Sequence, residues 1–142
     1  MILIYACEFP TAIGGVGSFA FSIADYLSRN NFQVSVLTFN FSEEDKLFDK
    51  KQTFKVIRFP RSGNTLLNYL FGVLYFLFVV IRLRPRVILA ADILSQRIAS
   101  FLQIFINKTK IFVLAYGSEV ITNYNETGIK KALFTKIYNK AA

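Results

Sequence analysis

Three glycines in four positions, Gly14, Gly15 and Gly17, form the segment of this chain best suited to chemistry. They lie between a short apolar run, Ile2–Ala6, and a helical pattern that starts near Gly17. A glycine-rich turn between strand and helix lets phosphate oxygens approach backbone N–H groups, and the helix N-terminus adds partial positive charge. Gly15-x-Gly17-x-x-Ala20 also satisfies the relaxed dinucleotide fingerprint. Two details argue against a nicotinamide or flavin site. That fingerprint normally follows its strand at once, whereas Glu8–Ile13 intervene here. The second strand ends in Thr38-Phe39-Asn40, where a ribose-binding acid would stand. No Gly-Lys-Ser/Thr follows the glycines, which excludes a P-loop. The alternative is that the glycines only permit a tight turn.

Missing residue types narrow the chemistry further. The chain has no histidine and one cysteine, Cys7. Histidine–metal sites and Ser–His or Cys–His hydrolases are therefore excluded within it, and no metal is expected. An intramolecular disulfide and a cysteine-based zinc site are excluded too, and the usage fits a reducing compartment.

The elements that must position the glycines follow from hydrophobic pattern. Ile2–Ala6 reads as a strand, and Val16, Phe19, Ala20, Ile23, Ala24 and Leu27 mark one face of a helix ending at Arg29. Val34–Phe39 and Phe54–Phe59 read as strands two and three, with Asn40–Thr53 between them as a solvated loop or short helix. A long apolar helix over Leu66–Ile81 ends before Pro85, and Val87–Ala91 is a fourth strand. Leu94, Ile98, Phe101, Leu102 and Phe105 mark another helix face, and Ile111–Ala115 is the fifth strand. The tail from about Gly128 to Ala142 reads as a basic amphipathic helix. Continuous apolar strands separated by helices predict an α/β fold: a doubly wound, mostly parallel, Rossmann-like sheet with helices on both faces. The sequence ends in a helix with no closing strand, so we expect residues 1–142 to be one domain cut before its last strand.

Composition sets the remaining bounds. The chain has 142 residues, is 54% hydrophobic and has a mean hydropathy of +0.41, which excludes disorder. The net charge is +8 and lies wholly in residues 61–142, which carry eleven bases against three acids. An anionic partner is expected: a phosphate ligand or an acidic membrane surface. Nucleic acid is not expected, because no recognition motif is present and the aromatics fall mainly at core positions. Met1–Ala6 lacks a basic leader and breaks at Glu8 and Pro10, so it is not a signal peptide. Leu66–Ile81 is shorter than the roughly 20 residues a spanning helix needs, which favours a buried helix or one lying on a membrane surface.

Together these residues resemble a known family. Phe9-Pro10-Thr11-Ala12-Ile13-Gly14-Gly15-Val16-Gly17, followed by an amphipathic helix and the strand VSVLTF, resembles the start of family-4 glycosyltransferases, retaining enzymes with the GT-B fold. Arg84-Pro85-Arg86-Val87-Ile88 is similar to the family's fourth strand, and Tyr116-Gly117-Ser118-Glu119 follows the fifth. Tyr116-Gly117 stands where many members have His-Gly, and Ala90-Ala91-Asp92 where many have a histidine.

The resemblance implies the N-terminal, acceptor-side domain of such an enzyme, with the C-terminal donor-binding domain outside this sequence. It implies transfer of a sugar from a nucleotide-sugar substrate, without a separate cofactor, to a saccharide or lipid-linked acceptor in surface polysaccharide or glycolipid synthesis. By this mapping Gly14, Gly15 and Gly17 form the donor-phosphate loop, and Asp92, Tyr116, Gly117 and Glu119 face the acceptor. The plainer reading has Glu119 capping one helix and Asp92 opening another. The expected location is cytoplasmic, peripheral on the inner face of the plasma membrane. This fragment alone is expected to be inactive. The competing function is a non-enzymatic nucleotide- or phosphate-binding Rossmann-like module.

Overall fold

A computed structural model of the chain describes residues 1–12, 14–103, 109–115, 127–128 and 135. Strand β1 (Ile2–Tyr5) leads through the glycine turn into helix α1 (Gly15–Arg29), followed by β2 (Val34–Phe39), α2 (Glu44–Asp49) and β3 (Lys55–Phe59). Helix α3 (Thr65–Leu83) crosses to β4 (Val87–Ala90), and α4 (Ile93–Leu102) leads to β5 (Lys110–Val113). The five strands form one parallel sheet in the order β3-β2-β1-β4-β5. The doubly wound α/β expectation therefore holds. The basic tail helix expected from Gly128 lies, apart from isolated positions, outside the described residues.

Burial explains why the strands read as unbroken apolar runs. Every residue of β2 is buried, because both of its faces are covered. Leu3 and Tyr5 of β1 point into a core shared with α3 and α4. Ile4 and Ala6 point into the opposite core, against Ala20 and Ala24 of α1. Aromatic rings fill both layers. Tyr5 stacks on Phe76 in one layer with ring centroids 5.4 Å apart, and in the other layer Phe9 meets Phe21, Phe48 and Phe54 edge-on. Burying one such ring contributes about 1.5–3 kcal/mol.

Local chemistry starts and stops the helices. Asn64 caps α3 by accepting from the N–H of Leu66 at 2.8 Å. Arg84, in the left-handed region at φ 47, ends α3 just before Pro85. Asp92 and Ser95 form a reciprocal capping box at the start of α4.

Candidate functional site

The chain winds outward from β1 to β3 and then returns through α3 to β4 on the other side of β1. Winding therefore reverses between β1 and β4, and open α/β sheets bind ligands outside the carboxyl ends of their strands at such a point. Asp92 ties the two strands together there: its Oδ2 accepts from the backbone N–H of Cys7, and its Oδ1 accepts from the N–H of Ser95 at 2.9 Å. Burial raises the Asp92 carboxyl above its usual range, and the hydrogen bonds from Ser95 and Cys7 oppose that rise. Burial, with the Asp92 carboxylate beside it, also raises the Cys7 thiol.

The glycine turn opens on this same carboxyl edge. Gly14 is the N-cap of α1 in an extended conformation, and no side chain caps the helix. The three glycines meet different surroundings. A Cβ on Gly17 would lie 3.1 Å from the backbone of Glu8 and Phe9, so this glycine lets α1 close against the segment leaving β1. A Cβ on Gly14 would collide with the Glu8 carboxylate. Around Gly15 there is nothing within 4 Å of a Cβ, so its backbone is open to a ligand.

A buried ion-pair network fixes the segment that leads into the turn. Arg58 on β3 donates from Nε and Nη2 to both carboxylate oxygens of Asp49, each at 2.9 Å. The same guanidinium donates to the carbonyls of Pro10 at 2.5 Å and Phe39 at 3.0 Å, and lies 3.2 Å from Asp45. Asp45 accepts from the Thr11 hydroxyl at 2.6 Å and from the N–H groups of Phe41 and Ser42. Burial alone would raise its carboxyl. The bonds from Thr11, Phe41 and Ser42, with Arg58 alongside, bring it below its ordinary value instead. The sequence reading placed Asp45 and Asp49 in a solvated stretch and Arg58 in the third strand, and missed the network.

Beside the turn lies a cavity of about 650 Å³. Cys7, Glu8 and Ala12 line it from the β1 end, and Phe39 and Phe41 from the β2 end. Arg61, Thr65, Asn68 and Tyr69 contribute the wall at the start of α3, and Ile93 and Leu94 that at the start of α4. Several of these groups are already held in place. Arg61 stacks over the Phe41 ring at 4.8 Å, the Asn68 amide brackets Ser62, and the Tyr69 hydroxyl accepts from Arg97 at 3.2 Å. Glu8 and Arg61 thus bring one carboxylate and one guanidinium to a largely apolar chamber, a combination suited to a polyhydroxylated ligand with an apolar face. The sequence carried no sign of it, since four separate segments build it.

Of the residues expected to form the site, Gly14, Gly15 and Gly17 sit together at the edge. Asp92 lies beneath that edge as the α4 cap, with both oxygens engaged, and does not line the cavity. Parallel β5 ends on the same edge, and Tyr116, Gly117 and Glu119, which follow it, lie outside the described residues.

No family model and no curated protein matches the sequence. Among solved structures, the chain is similar to a lipopolysaccharide outer core galactosyltransferase, WaaB, in its apo form. The TM-score is 0.55 at 16% identity, over 80% of this chain and 32% of that one. The chain thus spans about a third of the length of that transferase, and the likeness shows a glycosyltransferase-like fold.

Proposed function

We propose that this chain is the acceptor-side half of a retaining, family-4-type glycosyltransferase. It acts with a C-terminal donor-binding domain to move a sugar from a nucleotide-sugar to a saccharide or lipid-linked acceptor. The products would be surface polysaccharides or glycolipids, made on the cytoplasmic side where nucleotide-sugars are available. One observation carries the reading: a single edge of a glycosyltransferase-like sheet presents an open glycine turn and a cavity that share the Glu8–Ala12 segment.

The two parts divide the work. The backbone at Gly14, Gly15 and Gly17 approaches the donor diphosphate, aided by the uncapped N-terminus of α1. The acceptor occupies the cavity, with Glu8 accepting from its hydroxyls and Arg61 donating to them. Tyr116, Gly117 and Glu119 supply further acceptor contacts from the end of β5. Asp92 acts through Cys7 and α4 by setting the floor of the site. The donor-binding domain neutralises the departing diphosphate, and one positioned group of that kind is worth about 3–4 kcal/mol.

Gly15→Val tests the assignment in the enzyme joined to its donor-binding domain. Turnover should fall at least about 100-fold, as when one positioned backbone donor is blocked. The melting temperature should hold, because the new side chain meets open space. Full turnover in Gly15→Val would reduce the glycines to turn formers. Nucleotide-sugar binding with no transfer to any acceptor would favour the non-enzymatic module.

A further inference from the structure

Helix α3 is apolar on two opposite sides. At 100° per residue, Gly72, Phe76, Val79 and Val80 cluster on one side and are buried against the sheet and α4. Leu66, Leu67, Leu70, Leu74, Phe78 and Ile81 fall within an arc of about 120° on the other side. All six are exposed, from 40% at Leu67 to 77% at Leu66. They account for six of the twelve exposed large hydrophobic residues among the described part of the chain, so the exposure is concentrated rather than scattered. The stripe runs about 22 Å along the helix axis.

Charge indicates what would cover it. Helix α3 contains no acidic residue. Arg61 precedes it, Arg82 lies in its last turn, and Arg84 and Arg86 follow; all four are exposed. None of the four enters an ion pair among the described residues. An apolar stripe ending in a run of arginines matches the interface of an anionic bilayer, where the stripe sinks to the acyl boundary and Arg82, Arg84 and Arg86 meet phosphate headgroups. A membrane span is incompatible with this fold, because the opposite face of α3 is part of the core. We propose that the outer face of α3 is a monotopic docking surface for an anionic lipid bilayer.

The absence of tryptophan from the chain makes the test direct. Leu74→Trp places a lone tryptophan in the stripe, excited selectively near the red edge of protein absorption, and Tyr26→Trp places a control on α1, on the opposite side of the sheet. With mixed phosphatidylglycerol–phosphatidylcholine vesicles, Leu74→Trp should shift to the blue and be quenched by brominated lipid, while Tyr26→Trp should do neither. Co-sedimentation should weaken as salt is raised and be lost on pure phosphatidylcholine. Replacing Leu70, Leu74 and Phe78 together by Gln should weaken vesicle binding at least about tenfold with the circular dichroism spectrum unchanged. Should that variant fail to fold, Arg82→Gln with Arg84→Asn and Arg86→Gln serves instead, and should also weaken binding to the mixed vesicles. Four results would overturn the proposal: no binding by the parent chain, equal binding to neutral vesicles, resistance to carbonate extraction, or a Leu74→Trp emission already blue before lipid is added. Light scattering in the last case would tell a second copy from another part of this chain as the cover.

Discussion

Asp45 and Arg58 show how a pair of buried charges can govern a loop that neither belongs to. Asp45 is fully buried and the Arg58 side chain is 8% exposed, so Asp45 depends on Arg58 for charge compensation, whereas Arg58 also has Asp49. Asp45→Asn should therefore destabilise the chain by about 1.5–3 kcal/mol near neutral pH, the loss expected for hydrogen bonds to a charged group when Arg58 keeps Asp49 as a partner. The pH dependence has a definite sign. The folded-state carboxyl is held below its ordinary 3.8, so its contribution is present above that value and is lost as pH falls through the lowered one. The gap between parent and Asp45→Asn in urea unfolding should accordingly narrow as the solution is acidified below about pH 4. Such a pair leaves no trace in hydrophobic periodicity. The two residues lie thirteen positions apart, Asp45 in a stretch that reads as solvated and Arg58 in one that reads as strand. The glycines were legible because a backbone requirement leaves a residue-type signature, whereas Asp92 admitted two readings until its oxygens were placed on Cys7 and Ser95.

At the scale of elements, the strands were legible because two-sided burial forces continuous apolar runs, and their ends fell within two residues of the expected positions. The long apolar helix was harder to read, since its composition suits a core helix and an interfacial one equally. The structure shows that it is apolar on both counts, with one face in the core and the other outward. Its midpoint glycine marks the inward face. A Cβ on Gly72 would come within 2.7 Å of both Ile98 Cδ1 and the Tyr5 hydroxyl. The isoleucine tip can give way, but the Tyr5 ring is held against Phe76. Gly72→Ala should gain about 1 kcal/mol of helix propensity and lose about 1–3 kcal/mol to overpacking. The expected net effect is a lower urea midpoint with an unchanged slope, read by circular dichroism.

For the whole molecule, the cavity and the outward stripe share the first turns of α3, so docking would hold the proposed acceptor cavity near headgroup level. On the proposed function, with the chain joined to a donor-binding domain, the triple Gln replacement at Leu70, Leu74 and Phe78 should slow transfer to an acceptor embedded in vesicles. Transfer to a soluble saccharide acceptor should be untouched, and equal loss on both would mean that the stripe supports the fold instead. The strand order has a further consequence for how such a chain is made. The hydrogen bond that seals the switch point joins residues 85 positions apart. At about 5–20 residues per second, on the order of 4–17 s of synthesis separates its two partners. During that interval β1 has one unpaired edge, and α3 emerges from the ribosome before β4 and α4 exist to cover its inner side. The nascent α3 therefore has only the β1–β3 part of its inner cover while its outer face is bare, so the chain is at its oiliest before it is a finished domain.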